Sequence, residues 1–402
     1  MSLTTRRGIR RRDLLIGGLR VSALVPLASE LALARRLDGD DRDDRVLVVL
    51  QLTGGNDGLN TVVPHRQDAY YRLRPNVAQP RGALHRLDDD HGLHPAMGGL
   101  GELFAEGRVA IAHGVGHGDP DRSHFRSLQI WHSAKADGPP GEVGWLGRLA
   151  DQIAQRSPGT MPAMAIEAGD LPLSMRGLQI LPPTVRDPRG FRLHEKSERI
   201  GSLRDDLAAP AAEGDLGFLR EAARTTYATA LRMAEVADAP GAGDYPGTDL
   251  AQRFRLVAQL VRGGFGTRIF HLSLGGFDTH ARQAPVHADR LTQVSGALTA
   301  FQRDLESHGA ADRVVTLVFS EFGRRAKENG SMGTDHGRGA PLLLVGTRVR
   351  GGLSGTAPDL ECLVEGDVPP TTDFRSVYAT LERDWMGFEA STPAKPVELL
   401  NA

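Results

Sequence analysis

Acidic and histidine side chains in this chain gather in short glycine-rich clusters whose spacing suits metal-assisted chemistry. Asp278 and His280 stand two apart after Phe277. A carboxylate and an imidazole this close can share one hard or borderline cation, or can form an Asx turn with a hydrogen-bonded histidine. Asp335 and His336 lie between Gly333 and Gly337, offering two more ligands or a flexible polar loop. Asp57 sits in a turn bracketed by Gly54, Gly55 and Gly58, where it can bind a cation or cap a helix. Glu321 ends an apolar run, and a carboxylate there must stay wet, bind a cation, or pair with Arg324 or Arg325. Ser123 opens a helical pattern. The free N–H groups of a helix start favour anions. Its hydroxyl is therefore either a plain N-cap or a nucleophile toward a phosphoryl or sulfuryl group, activated by metal.

Other patterns carry less chemistry. Asp88, Asp89, Asp90 and His91, with His94 close by, read as a solvated loop. The glycines of 114–118 have the wrong spacing for a dinucleotide or phosphate loop. The chain has no G-x-S-x-G elbow and no H-E-x-x-H, which argues against an ordinary α/β-hydrolase esterase or a zincin protease.

Elements must bring these separated clusters together. Apolar runs at 46–52, 109–112, 269–274 and 314–319 read as buried strands, joined by 341–345 and a weaker 163–166. Helical patterns cover 97–106, 125–132, 146–155, 215–237, 249–262 and 288–307. The alternation predicts an α/β fold whose parallel sheet is covered on both faces. The clusters of Asp57, Asp278 and Glu321 directly follow predicted strands, and ligands of such sheets bind beyond the carboxyl ends of the strands. One large domain is predicted over 46–390. Proline-rich 167–210 forms an insertion or cap, and 391–402 a tail.

Composition sets the outer bounds. The 402 residues are 40% hydrophobic and 24% charged, which excludes collagen-like, coiled-coil and wholly disordered chains. A formal net charge of -2 gives no sign of a nucleic-acid binder. The single cysteine, Cys362, excludes an internal disulfide and a cysteine-based zinc site. In residues 1–34, six arginines face only Asp13 and Glu30, an apolar stretch follows Arg11-Arg12, and Ala32 and Ala34 make an A-x-A-like end. This reads as a twin-arginine signal peptide, addressed to the machinery that exports folded proteins, with 35–45 as a linker. Arg20, Pro26 and Glu30 interrupt the apolar run, so it makes a poor membrane span. The expected location is the periplasm, the cell envelope or outside the cell.

Several ordered blocks resemble a known family. They are Leu52-Thr53-Gly54-Gly55-Asn56-Asp57-Gly58-Leu59-Asn60-Thr61, Leu93-His94-Pro95-Ala96-Met97, Arg122-Ser123-His124-Phe125 and Gly144-Trp145-Leu146-Gly147-Arg148, followed by 275–280, 320–324 and 334–339. With the twin-arginine start, they resemble the secreted bacterial family catalogued as domain of unknown function 1501, in the alkaline phosphatase and sulfatase-like superfamily. The resemblance implies an α/β, alkaline-phosphatase-like central, mostly parallel sheet flanked by helices. It also implies one or two divalent ions: zinc, calcium, magnesium or manganese. By family order Asp278, His280 and His336 would hold one ion, and Asp57, Glu321 and Ser123 the other. An alternative registration gives Asp335-His336 the role of a paired ligand motif. Phe322 stands where that order calls for a histidine. The activity implied is metal-dependent hydrolysis of a small phosphate or sulfate ester, or of an envelope polymer, with Ser123 as nucleophile. Arg126, Arg324 or Arg338 would bind the anionic oxygens. The alternatives are a non-catalytic envelope binding protein on a degenerate phosphatase-like fold, and a metal-dependent isomerase or phosphomutase.

Overall fold

A computed structural model describes residues 44–118, 122–135, 141–158, 160–167, 169–186, 232–236 and 243–401. The signal peptide, residues 35–43 of the linker, 187–210 of the predicted insertion and most of the helix predicted at 215–237 lie outside the described residues.

The central strands form where the apolar runs are longest. The strands of the main sheet are β1 (Val46–Leu52), β2 (Val109–Gly116), β3 (Ala163–Ala165), β4 (Ile269–Leu274), β5 (Val314–Phe319), β6 (Ala340–Val345), β7 (Gly352–Ser354) and β8 (Thr372–Asp373). Together they make one sheet in the order β7-β2-β6-β5-β1-β4-β3, with β8 also paired to β2. All pairings are parallel except those of β6, which runs antiparallel to both β2 and β5. Every residue of β1 is buried, as expected for a strand covered on both faces.

Alternate residues of β1 feed two cores. Val46, Val48 and Leu50 pack with α1 (Gly98–Ala105), α4 (Asp249–Arg262) and α5 (Gln283–Ser307). Leu47 and Val49 pack with α2 (His124–Ser133), α3 (Trp145–Arg156) and α6 (Phe374–Ala379). The result is a mostly parallel mixed sheet flanked by helices, as the sequence and the resemblance both predict.

Two segments outside the sheet pack against it. The first part of the predicted insertion is tied to α3, where the Asp151 carboxylate accepts the amides of Leu178, Gln179 and Ile180 at 2.7, 3.1 and 2.8 Å. The tail from 391 is docked: Leu399 is buried and the Val397 amide donates to Thr380 Oγ1 at 2.9 Å. Its apolar residues at 397, 399 and 400 complete the second core.

Candidate metal centre

One edge of the sheet collects the polar clusters. Asp57, Asp278 with His280, and Glu321 follow the carboxyl ends of β1, β4 and β5. Because β6 is antiparallel, the loop that precedes it, with Asp335 and His336, lies at that same edge. His124, the first residue of α2, reaches it from the connection after β2.

Asp278 Oδ1 is the point of convergence. His280 Nε2 and His336 Nε2 each lie 3.0 Å from it, and His124 Nε2 lies 3.5 Å away. The ligand atoms of His124, Asp278 and His336 all fall within 4.8 Å of one another. His280 Nε2 is 3.0 Å from His336 Nε2. Each ring is held through its other nitrogen. His124 Nδ1 faces Glu321 Oε1 at 2.9 Å, His280 Nδ1 faces Asp335 Oδ1 at 3.1 Å, and His336 Nδ1 faces the Arg122 carbonyl at 2.7 Å. Carbonyl and carboxylate oxygens accept, so each Nδ1 carries the proton in the neutral ring and each Nε2 presents a lone pair. Outer acceptors fix metal-ligating histidines in this way. His124 Nε2 is buried without a hydrogen-bond partner, and such an orphan calls for an ion or a water. The donor set therefore fits a divalent cation held by His124, Asp278 and His336 with His280 beside them, and its imidazole content suits zinc better than calcium.

Neighbouring groups make the cluster rigid. Arg324 is buried, and donates to the carbonyls of Gly55 and Thr334 at 2.7 Å each, of Phe277 at 3.0 Å, and to that of Gly54. It also donates to Asp278 Oδ1 at 2.6 Å. Burial would raise the Asp278 carboxyl, but the hydrogen bond and charge of Arg324 hold it well below the usual carboxylate range. The Glu321 hydrogen bond raises His124 above an ordinary histidine, against the effect of burial. Phe322 is buried against the rings of His124 and His336, at centroid distances of 5.0 and 4.7 Å. Phe322 is thus a wall for two imidazoles at the position where the family order calls for a ligand.

The predicted residues divide. Asp278, His280 and His336 come together. Asp335 and Glu321 sit behind the rings of His280 and His124. Asp57 is fully buried elsewhere: it pairs with Arg74 at 2.6 Å, caps Gly58–Thr61 through the Asn60 amide at 3.3 Å, and accepts from Gln283. Of the predicted second set of Asp57, Glu321 and Ser123, both carboxylates have protein partners: Asp57 pairs with Arg74 and Gln283, and Glu321 with His124 and the Gly54 amide. Arg324 is likewise spent on carbonyls and Asp278. Arg338 is partly exposed and bonded to Glu365 at 2.5 Å. Ser123 is exposed at the N-cap of α2 and its hydroxyl does not cap the helix. Arg126 is half-buried in the first turn of α2. Sequence reasoning missed His124, although its block had been singled out. The signal was its place one residue after a helix-start serine.

A family described as "Protein of unknown function (DUF1501)" matches residues 44–384. No curated protein matches the chain. Among solved structures, the lipoteichoic acid synthase LtaP from Listeria monocytogenes is 6% identical, covering 88% of this chain and 75% of that one at a TM-score of 0.36. A phosphonate monoester hydrolase from Silicibacter pomeroyi is 9% identical, covering 88% and 76% at 0.37. A protein in the alkaline phosphatase superfamily from Vibrio parahaemolyticus is 12% identical, covering 78% and 63% at 0.36.

Proposed function

The chain belongs to the DUF1501 family, and from that premise we propose that it is an exported, metal-dependent hydrolase of phosphate or sulfate esters. The observation that carries this reading is the convergence of three imidazole Nε2 atoms on Asp278 Oδ1, one of them buried and without a partner. A divalent cation bound there would polarise an ester oxygen. Asp278 and the histidines would hold the cation, and Glu321, Asp335 and the Arg122 carbonyl keep the rings turned toward Asp278. Arg324 fixes Asp278 and ties the loops after β1 and β4 to the loop before β6. Ser123, exposed beside His124, is the nucleophile in this reading. Its oxygen forms a bond to phosphorus or sulfur as the ester oxygen leaves with a proton, and water then hydrolyses the serine ester. Export rests on the twin-arginine pattern at the N-terminus. No helix among the described residues is long and apolar enough to cross a membrane.

The test is metal analysis of the purified full chain after loading with zinc, manganese, calcium or magnesium, with turnover of a panel of aryl phosphates and sulfates. Zinc is expected to bind near one equivalent and to be lost from Asp278→Asn and His336→Ala. Turnover is expected to need Ser123. Absence of metal from the loaded wild type would overturn the reading. Bound metal with no turnover of any ester would leave the non-catalytic binding role in its place.

A further inference from the structure

Beside the histidine cluster, three arginines surround one buried carboxylate. Asp367 has no exposed side-chain surface. Arg122 Nη2 lies 2.6 Å from its Oδ2, Arg338 Nε 3.5 Å from the same oxygen, and Arg325 Nε 3.3 Å from Oδ1. A buried carboxylate needs compensation, but a single guanidinium can supply it. Two positive charges therefore remain over Asp367 itself.

The second acid in the group is of a different kind. Glu365 takes Arg338 Nη2 at 2.5 Å and lies 3.6 Å from Arg122 Nη2, yet its side chain is 68% exposed and its backbone is left-handed at φ 53°. Its carboxylate is thus exposed while it contacts two of the arginines. This group adjoins the metal cluster through two chain links. Arg122 supplies the carbonyl that holds His336, and Arg338 follows His336 by two residues.

We propose that Arg122, Arg325 and Arg338 form a recognition site for a dianionic phosphate group, occupied by Glu365 until substrate displaces it. This deepens the hydrolase reading and rests on it for the identity of the substrate. It selects phosphate monoesters over sulfate esters. Once Glu365 leaves, three guanidiniums stand against the single buried carboxylate of Asp367, with Asp335 facing Arg325 from the metal side. A phosphate monoester is close to a dianion at neutral pH, whereas a sulfate ester is a monoanion. Guanidinium forks also match the geometry of tetrahedral oxyanions.

The experiment measures direct binding of phenyl phosphate and phenyl sulfate to the metal-stripped full chain by calorimetry at low salt. Without metal no turnover is needed for the readout. Phenyl phosphate is expected to bind at least about tenfold more tightly than phenyl sulfate. Arg122→Gln and Arg338→Gln are each expected to weaken phosphate about tenfold, since each removes a charge-assisted hydrogen bond. Glu365→Gln is expected to tighten it several-fold, which a merely structural role of Glu365 would not do. Equal binding of the two esters, unchanged affinity in both arginine variants, or loss of binding in His336→Ala with the arginines intact would each overturn the proposal. A chain that binds metal and turns over esters but shows one of those results would lose this site and keep its proposed function. A chain that takes no metal but binds phosphate through the arginines would do the reverse.

Discussion

At the scale of single residues, the site is built on a distinction that the sequence does not display: which acid stands where the imidazoles converge and which holds a ring from behind. Asp278 and Glu321 both follow strands, and the same chemistry was open to both. The fold separates them, because Asp278 is 48% exposed at the convergence point whereas the Glu321 side chain is fully buried. Glu321 therefore accepts from His124 Nδ1 and from the Gly54 amide, at 2.9 and 2.8 Å. Asp57 was equally ambiguous. Its partner Arg74 lies 17 residues on, and no local pattern links them. Glu321→Gln tests the distinction. The amide keeps an acceptor for Gly54 but loses the charge opposite His124. Zinc affinity, read by competition with a chelator, is expected to fall tenfold to a hundredfold, about the usual cost of losing an outer-sphere partner, while the thermal midpoint stays close to wild type. Unchanged zinc affinity would show that Glu321 does not position His124.

At the scale of elements, β1, β4, β5 and α4 were legible to the residue because their apolar periods are unbroken and their ends are marked by glycine or polar residues. The direction of β6 was not legible. A short apolar run looks the same in either sense, yet the antiparallel choice is what brings Asp335 and His336 to the edge where Asp278 lies. The close approach of the loop after β1 to the loop after β4 was also hidden. Gly54 has φ 119°, and a Cβ there would collide with the Asp278 amide. Gly54→Ala is therefore expected to destabilise by more than about 1 kcal/mol from backbone strain, and in addition to weaken zinc binding by moving Asp278. Gly107→Ala is the control: it shares a positive φ, at 74°, but a Cβ there meets open space. Denaturant midpoints should fall for both variants, with zinc affinity reduced only in Gly54→Ala. Equal zinc affinity in the two would mean that this loop contact does not place Asp278.

At the scale of the whole molecule, histidine plays two opposed roles. The rings around Asp278 are partly exposed, whereas His94, His113, His132 and His287 are buried in the body of the protein. Burial pushes His94, His113 and His287 down to about 4 and His132 to about 3. The unfolded chain would protonate all four near the ordinary value of about 6.5. Between about pH 6.5 and 4 the unfolded state thus binds more protons than the folded state, and stability falls as pH falls through that window. Above it the contribution is fully present. Each ring can withdraw up to about 1.4 kcal/mol per pH unit there, so the four together give a steep acid limb. His132 Nε2 meets the Gln51 side-chain oxygen at 2.6 Å, and a glutamine at 132 can donate there in its place. In metal-stripped protein, urea midpoints measured from pH 7.5 to 5 should drop continuously for the wild type. The drop should be shallower by the share of one group in His132→Gln. A wild-type midpoint that stays flat to pH 5 would mean that these rings take up protons in the folded state as readily as in the unfolded one.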